Sequence, residues 1–221
     1  MAQEALAFDM YGTLVNPVRI WQQLDRWIVQ DTKRIAELWR QKQLEYTFRL
    51  VAMEQYKNFA YVTRCALDYA LAATGHELTD EQKQQLMEEY NRLEVFPDVL
   101  EGLRRLQLKN HTMVVFSNGT PTMLRALMEF AGLNTYLSGF ISVDEVRTYK
   151  PAPRAYQLVG QKLARPLNEI RLISSNPFDV VGALHAGMQA TWLDRSGGVF
   201  DGLGTRPPMV VKTLVELADR E

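Results

Sequence analysis

Residues 5–17 read Ala5-Leu6-Ala7-Phe8-Asp9-Met10-Tyr11-Gly12-Thr13-Leu14-Val15-Asn16-Pro17, and they say more about this chain than any other segment. Ala5 to Phe8 is a short apolar run, the pattern of a buried strand, and it ends at a carboxylate. A Gly-Thr turn follows at once, and Asn16-Pro17 then breaks the regular structure. An aspartate at the carboxyl end of a parallel strand lies where open α/β sheets place their ligands. The loop there exposes backbone N–H groups, so Asp9 can stay ionised, reach substrate and act as a carboxylate nucleophile.

Outward from this stretch the texture changes twice. From Val18 to about Arg92 the chain is rich in Leu, Gln, Glu, Lys, Arg and Ala and nearly free of Gly and Pro. Apolar positions such as Ile35, Leu38 and Trp39, and later Phe59 and Val62, recur at three- and four-residue steps, which predicts amphipathic helices. Gly75 and the start signal Thr79-Asp80-Glu81 mark a helix break and a new cap. From Phe96-Pro97 onward strand-like runs return: Thr112 to Phe116, Gly139 to Ser142, Arg171 to Ile173 and Ala190 to Leu193. Helical stretches, for example Thr122 to Ala131 and Ala155 to Leu163, lie between them. This alternation predicts an α/β fold, a parallel sheet with helices on both faces. The expected organisation is a split core, residues 1–15 and 95–221, with a helical cap, residues 16–94, inserted after the first strand.

The bulk numbers narrow the function classes. The 221 residues suffice for one substantial core plus a smaller appended unit. With 25 basic against 26 acidic residues there is no polyanion footprint, which argues against nucleic acid as a partner. A single cysteine, Cys65, excludes an intrachain disulfide and fits a reducing compartment; core packing is its expected role. No apolar run approaches the roughly 18 residues of a membrane span, and the N-terminus has no basic-then-apolar signal pattern. The expectation is a soluble cytoplasmic protein without a membrane partner. His76, His111 and His185 fall outside every motif.

In a parallel sheet the carboxyl ends of the strands converge on one crevice. Ser117-Asn118-Gly119 ends one of them; it reads either as a plain turn or as a hydroxyl, an amide and free N–H groups able to hold an oxyanion. Lys150-Pro151 reads, taken alone, as a surface lysine whose direction is fixed by the extended approach that Pro151 forces. Ser174-Ser175-Asn176-Pro177-Phe178-Asp179 ends another strand.

The pattern Phe8-Asp9-x-Tyr11-Gly12-Thr13-Leu14 resembles the first motif of the haloacid dehalogenase superfamily. Many of its phosphatases and phosphomutases carry a second aspartate two residues after the nucleophile. Here Tyr11 stands there, a phenol of pKa about 10 that is unsuited to general acid/base work near neutral pH. Magnesium-dependent relatives also carry extra carboxylates in the fourth motif, because Mg²⁺ prefers hard anionic oxygens; Ser174-Ser175-Asn176 leaves only Asp179. Both departures resemble the L-2-haloacid dehalogenases, whose fourth motif reads Ser-Ser-Asn-x-x-Asp. Leu38-Trp39-Arg40-Gln41-Lys42-Gln43-Leu44-Glu45-Tyr46 is similar to the segment that carries their halide-binding arginine. On a helix Arg40 and Leu44 share a face; a lone arginine there is otherwise simply solvated.

The resemblance implies a Rossmann-like core with a helical cap, and metal-independent hydrolysis of short L-2-haloalkanoates to (R)-2-hydroxyalkanoates plus halide. Asp9 would form the aspartyl ester, and Lys150, Asp179 and Asn176 would orient or activate the water that opens it. Thr13, Ser117, Ser174 and Ser175 would hold carboxylates, and Arg40 and Asn118 would receive the halide. Tyr11, Leu44, Phe59 and Phe178 would wall the substrate's alkyl group, and Tyr156 matches a family position near the lysine. No cofactor or metal is implied; a homodimer is. Phe178 replaces a tryptophan common in the family, which bears on substrate size. Rival readings are a Mg²⁺-dependent phosphatase, a hydrolase opening strained C–N bonds in small cyclic amino acids, and an idle binding scaffold.

Overall fold

The computed structural model describes residues 4–221. Six strands form one sheet: β1 (Ala5–Phe8), β2 (Thr112–Ser117), β3 (Phe140–Ser142), β4 (Ile170–Ser174), β5 (Gln189–Leu193) and β6 (Met209–Val211). Every pairing is parallel and the order is β3-β2-β1-β4-β5-β6. β1 is central, with Phe8 in register with Val115 on one side and Ile173 on the other. Paired at both edges and covered on both faces, all four of its residues are buried, which is why the run is continuously apolar rather than alternating. The chain builds outward from β1 first through β2 and β3, then returns to its other side with β4. The carboxyl ends of β1, β2 and β4 therefore flank the point where the sheet's winding reverses.

Between β1 and β2 lie α1 (Trp21–Leu24), α2 (Thr32–Ala52), α3 (Phe59–Ala73), α4 (Asp80–Glu89) and α5 (Val99–Leu108). Thr79 and Gln82 close a reciprocal capping box at the start of α4, and Asn58 caps α3 by accepting the Tyr61 N–H, each satisfying donors that a helix start leaves free. The Asn16-Pro17 break has a second use. The Asn16 side chain accepts the Val18 N–H and opens a short 3-10 turn, Pro17–Ile20. The chain leaves the sheet layer and re-enters it side by side: the Asn16 N–H donates to the Glu94 carbonyl and the Phe96 N–H to the Leu14 carbonyl.

After β2 come α6 (Pro121–Phe130), α7 (Pro153–Leu163), α8 (Pro177–His185) and α9 (Leu214–Arg220). The expected strands recur within one or two residues at each end. β6 and α9 were not anticipated: they are short, and β6 follows the Gly- and Pro-containing stretch 202–208, where no periodicity accumulates. Among the described residues no helix is long and apolar enough to cross a membrane.

Candidate active site

Asp9 directly follows β1, and three donors hold its carboxylate. Oδ2 accepts from the Thr13 hydroxyl at 3.0 Å and from the Asn176 amide at 2.8 Å, and Oδ1 from the Lys150 ammonium at 3.2 Å. The local chain explains how Thr13 gets there. Gly12 adopts φ of +91°, a left-handed conformation that favours glycine, and the Leu14 and Val15 N–H groups fold back onto the Met10 carbonyl. This tight turn brings Thr13 under Asp9, where its hydroxyl also accepts the Ser175 N–H at 2.9 Å. One threonine thus ties the turn after β1 to the turn after β4.

Lys150 is 1% exposed. Its ammonium donates to Asp9, to the Asp179 carboxylate at 2.9 Å and to the Phe116 carbonyl at 2.7 Å, and lies 4.1 Å from the centre of the Phe116 ring. Such a charge is tolerable in the interior only because it is fully paired. The lysine is held by its own backbone: the Lys150 N–H donates to the Asn118 side-chain oxygen. Asp179, in the first turn of α8, is wholly buried. Burial pushes its carboxyl above the usual range, against the pull of the neighbouring lysine.

Arg40 reaches this cluster from α2. It donates to the Tyr11 carbonyl at 2.9 Å and to the Asn176 side-chain oxygen at 3.4 Å. The Asn176 amide therefore spans the two, donating to Asp9 with its nitrogen and accepting from Arg40 with its oxygen. Leu44 is half-buried one turn further along α2. Tyr11 and Phe59 face each other with ring centres 5.4 Å apart, and Tyr90 stacks on Tyr11. Burial holds the Tyr11 phenol well above its ordinary value, so it is neutral. Its buried hydroxyl has no hydrogen-bond partner among the described residues.

Some expected residues occupy other posts. Ser117 and Ser174 do not turn their oxygens outward; each accepts the N–H two residues on, from Gly119 and Asn176, and so closes its turn. Tyr156 does stand near the lysine, through its partner Asp179. It is buried behind Asp179, donating to that carboxylate at 2.9 Å. Phe178 packs edge-on against Phe48 of α2, with centres 5.0 Å apart. Asn118 spends its side-chain oxygen on Lys150, which leaves only its amide nitrogen to donate. Three residues escaped the sequence reading. Gln43 and Tyr90 bond to each other beside Arg40. At Gly182 a Cβ would lie 2.4 Å from the Tyr156 hydroxyl and 2.7 Å from Pro151. A glutamine three residues after an arginine on one helix was the available signal for Gln43.

The site does not fit a divalent cation. Mg²⁺ asks for a set of hard oxygen ligands, but the two carboxylates here share one ammonium, and Asp179 also takes the Tyr156 phenol. Among the described residues no three His, Cys, Asp or Glu side chains are grouped for a metal. A separate cleft of about 670 Å³, lined by Asn58, Arg64, Asn91, Thr120 and Asp144 among others, does not include Asp9 or Lys150.

A family model described as "Hydrolase: haloacid dehalogenase-like hydrolase" matches residues 3–187. The chain belongs to that family. Within the haloacid dehalogenase-like hydrolases it is 35% identical to the (S)-2-haloacid dehalogenase of Pseudomonas sp. (strain YL), over 96% of this chain and 91% of that protein. It is 36% identical to haloacetate dehalogenase H-2 of Moraxella sp. (strain B), over 96% and 94%. The solved L-2-haloacid dehalogenase from Xanthobacter autotrophicus with chloropropionic acid covalently bound superposes with a TM-score of 0.90, at 31% identity, over 98% of this chain and 97% of that one.

Proposed function

We propose that this chain is an (S)-2-haloacid dehalogenase, a hydrolase that opens the carbon–halogen bond of short L-2-haloalkanoates without a metal. One Asp9 oxygen attacks the α-carbon; the new C–O bond forms as the carbon–halogen electron pair leaves with the halide. Water then adds to the Asp9 side-chain carbonyl carbon, the ester C–O bond breaks, and a hydroxy acid of inverted configuration, one proton and free Asp9 result. Splitting the displacement into two steps makes each easier.

The observation that carries this reading is the Asn176 amide bridging a nucleophile-like carboxylate and an arginine bonded to neutral oxygens. Arg40 thus keeps a free positive charge beside Asp9, suited to a departing halide or a substrate carboxylate. Lys150 holds Asp9 and Asp179 together, and Asp179 is the group within reach of that ammonium to accept the proton of the hydrolytic water. Thr13 and Ser175 would orient carboxylate oxygens, Asn118 would join Arg40 in receiving the halide through its amide nitrogen, and Tyr11, Leu44, Phe59 and Phe178 would enclose the alkyl group. Residues 16–94 act as a cap that brings Arg40 over the sheet. The proposal extends to a homodimer and to cytoplasmic residence. Its preferred substrates are haloacetates and 2-halopropionates; comparable turnover of long-chain substrates would contradict that.

The test is halide release from L- and D-2-chloropropionate in EDTA, beside a phosphate-ester assay with Mg²⁺. Chloride from the L-isomer alone, unaffected by EDTA, is the expected result. Phosphate release without chloride would replace this reading with a phosphatase.

A further inference from the structure

Beyond the groups that face Asp9, α2 carries a glutamine with no obvious reason to be buried. Gln43 is 0% exposed, and all of its polar atoms are used. The Thr63 hydroxyl donates to the Phe59 carbonyl at 2.7 Å, so toward Gln43 it can act only as an acceptor. Gln43 Nε2 donates to it at 2.7 Å, which fixes which end of the amide is nitrogen. The oxygen is thereby turned the other way, where it accepts from the Tyr90 hydroxyl at 3.0 Å and from Arg40 Nη1 at 2.8 Å. Burial raises the Tyr90 phenol, which keeps it a donor. The Trp39 indole N–H, bonded to the Thr63 carbonyl at 2.8 Å, pins α3 against α2 at the same level.

We propose that Gln43 is the positioning residue for the Arg40 guanidinium: the Phe59–Thr63–Gln43 relay presents a neutral oxygen that aims Arg40 without cancelling its charge. The inference rests on the reading of Arg40 as an anion-binding group. A carboxylate at position 43 would reach the same nitrogen with nearly the same shape, but as an ion pair it would discharge the arginine. An apolar residue would release it to other rotamers. Neutrality and direction are both needed, and the amide supplies them together. Tyr90 adds to the cost of an apolar replacement, because its buried hydroxyl then loses an acceptor that Gln43→Glu would keep.

The experiment measures chloride binding directly, by quadrupolar NMR line broadening of chloride, with L-2-chloropropionate kinetics alongside. The proteins are wild type, Gln43→Glu, Thr63→Val and Arg40→Gln, each checked for fold by circular dichroism. Gln43→Glu is expected to weaken chloride binding by roughly a hundredfold, the scale of loss when a close charge is cancelled in a partly buried site. Thr63→Val adds no charge but leaves the Gln43 amide nitrogen without its acceptor and unpins that end of the amide, so a loss of about tenfold is expected, one unsatisfied buried bond. In both, KM should rise and bromide should inhibit more weakly. Chloride binding lost in Arg40→Gln but unchanged in Gln43→Glu would overturn the inference and leave Arg40 as the anion site. Binding unchanged in Arg40→Gln would overturn the reading of Arg40 and the inference with it. If Gln43→Glu does not fold, Thr63→Val decides alone: wild-type affinity there refutes the relay.

Discussion

Replacing Lys150 with methionine tests the central claim that one buried ammonium makes two buried carboxylates tolerable. Methionine keeps much of the length and removes the charge. Its loss strips Asp9 Oδ1, Asp179 Oδ2 and the Phe116 carbonyl of a donor at 3.2, 2.9 and 2.7 Å, with the side chain only 1% exposed. Breaking a buried pair by deleting one partner costs about 3–5 kcal/mol. For a chain of this size that lowers Tm by about 6–20 °C. The pH dependence has a definite sign. Burial already holds the Asp179 carboxyl above its ordinary 3.8, and Lys150 opposes the rise. In Lys150→Met that opposition is gone, so the folded protein binds the Asp179 proton still more tightly than the unfolded chain does. The deficit is therefore largest near neutral pH and shrinks as pH falls through the raised pKa. Thermal melts by circular dichroism between pH 4 and 8, with halide release measured beside them, read this out (the pH bounds are about those of the carboxylate-to-neutral window). A variant melting within about 2 °C of wild type at neutral pH, or one whose deficit grows on acidification, would refute the reasoning.

Asp9→Asn should keep the fold, since Asn still accepts from Thr13, and lose halide release by at least about four orders of magnitude; unchanged turnover would end the nucleophile assignment. Gly182→Ala places a methyl 2.4 Å from the Tyr156 hydroxyl, so it should cost about 1–3 kcal/mol by overpacking and lower kcat more than it raises KM, by displacing Tyr156 from Asp179. Wild-type melting and kinetics in that variant would show that α8 moves away freely. For Asp179→Asn, the raised carboxyl pKa in the parent sets the slope: the Asp179 contribution is full below 3.8 and lost as pH rises through the folded value. The stability advantage of the parent over the variant should thus decline with rising pH, measured by urea titration; an advantage that increases would mean that Lys150, not burial, governs Asp179.

The scaffold and the inventory of the site are legible in local sequence patterns. A four-residue apolar run leading into Asp9, four further runs followed by polar residues, and a Gly-poor helical stretch after the first of them carry the fold, because backbone pairing and burial leave local, periodic traces. The family motifs around Asp9, Arg40, Lys150 and Ser174 to Asp179 are equally local. What those residues do to one another is not. Whether Ser117 and Ser174 face the crevice or close their own turns depends on how each turn satisfies its backbone N–H groups. That Tyr156 stands behind Asp179 depends on α7 meeting α8 at Gly182, a contact that no spacing announces. Gln43 sits in a run of polar residues, Gln41-Lys42-Gln43, any of which reads as solvated; only the rotation of α2 against Thr63 and Tyr90 buries the third. Pattern reports which faces are apolar, whereas the direction of a hydrogen bond between elements distant in sequence exists only once they have packed.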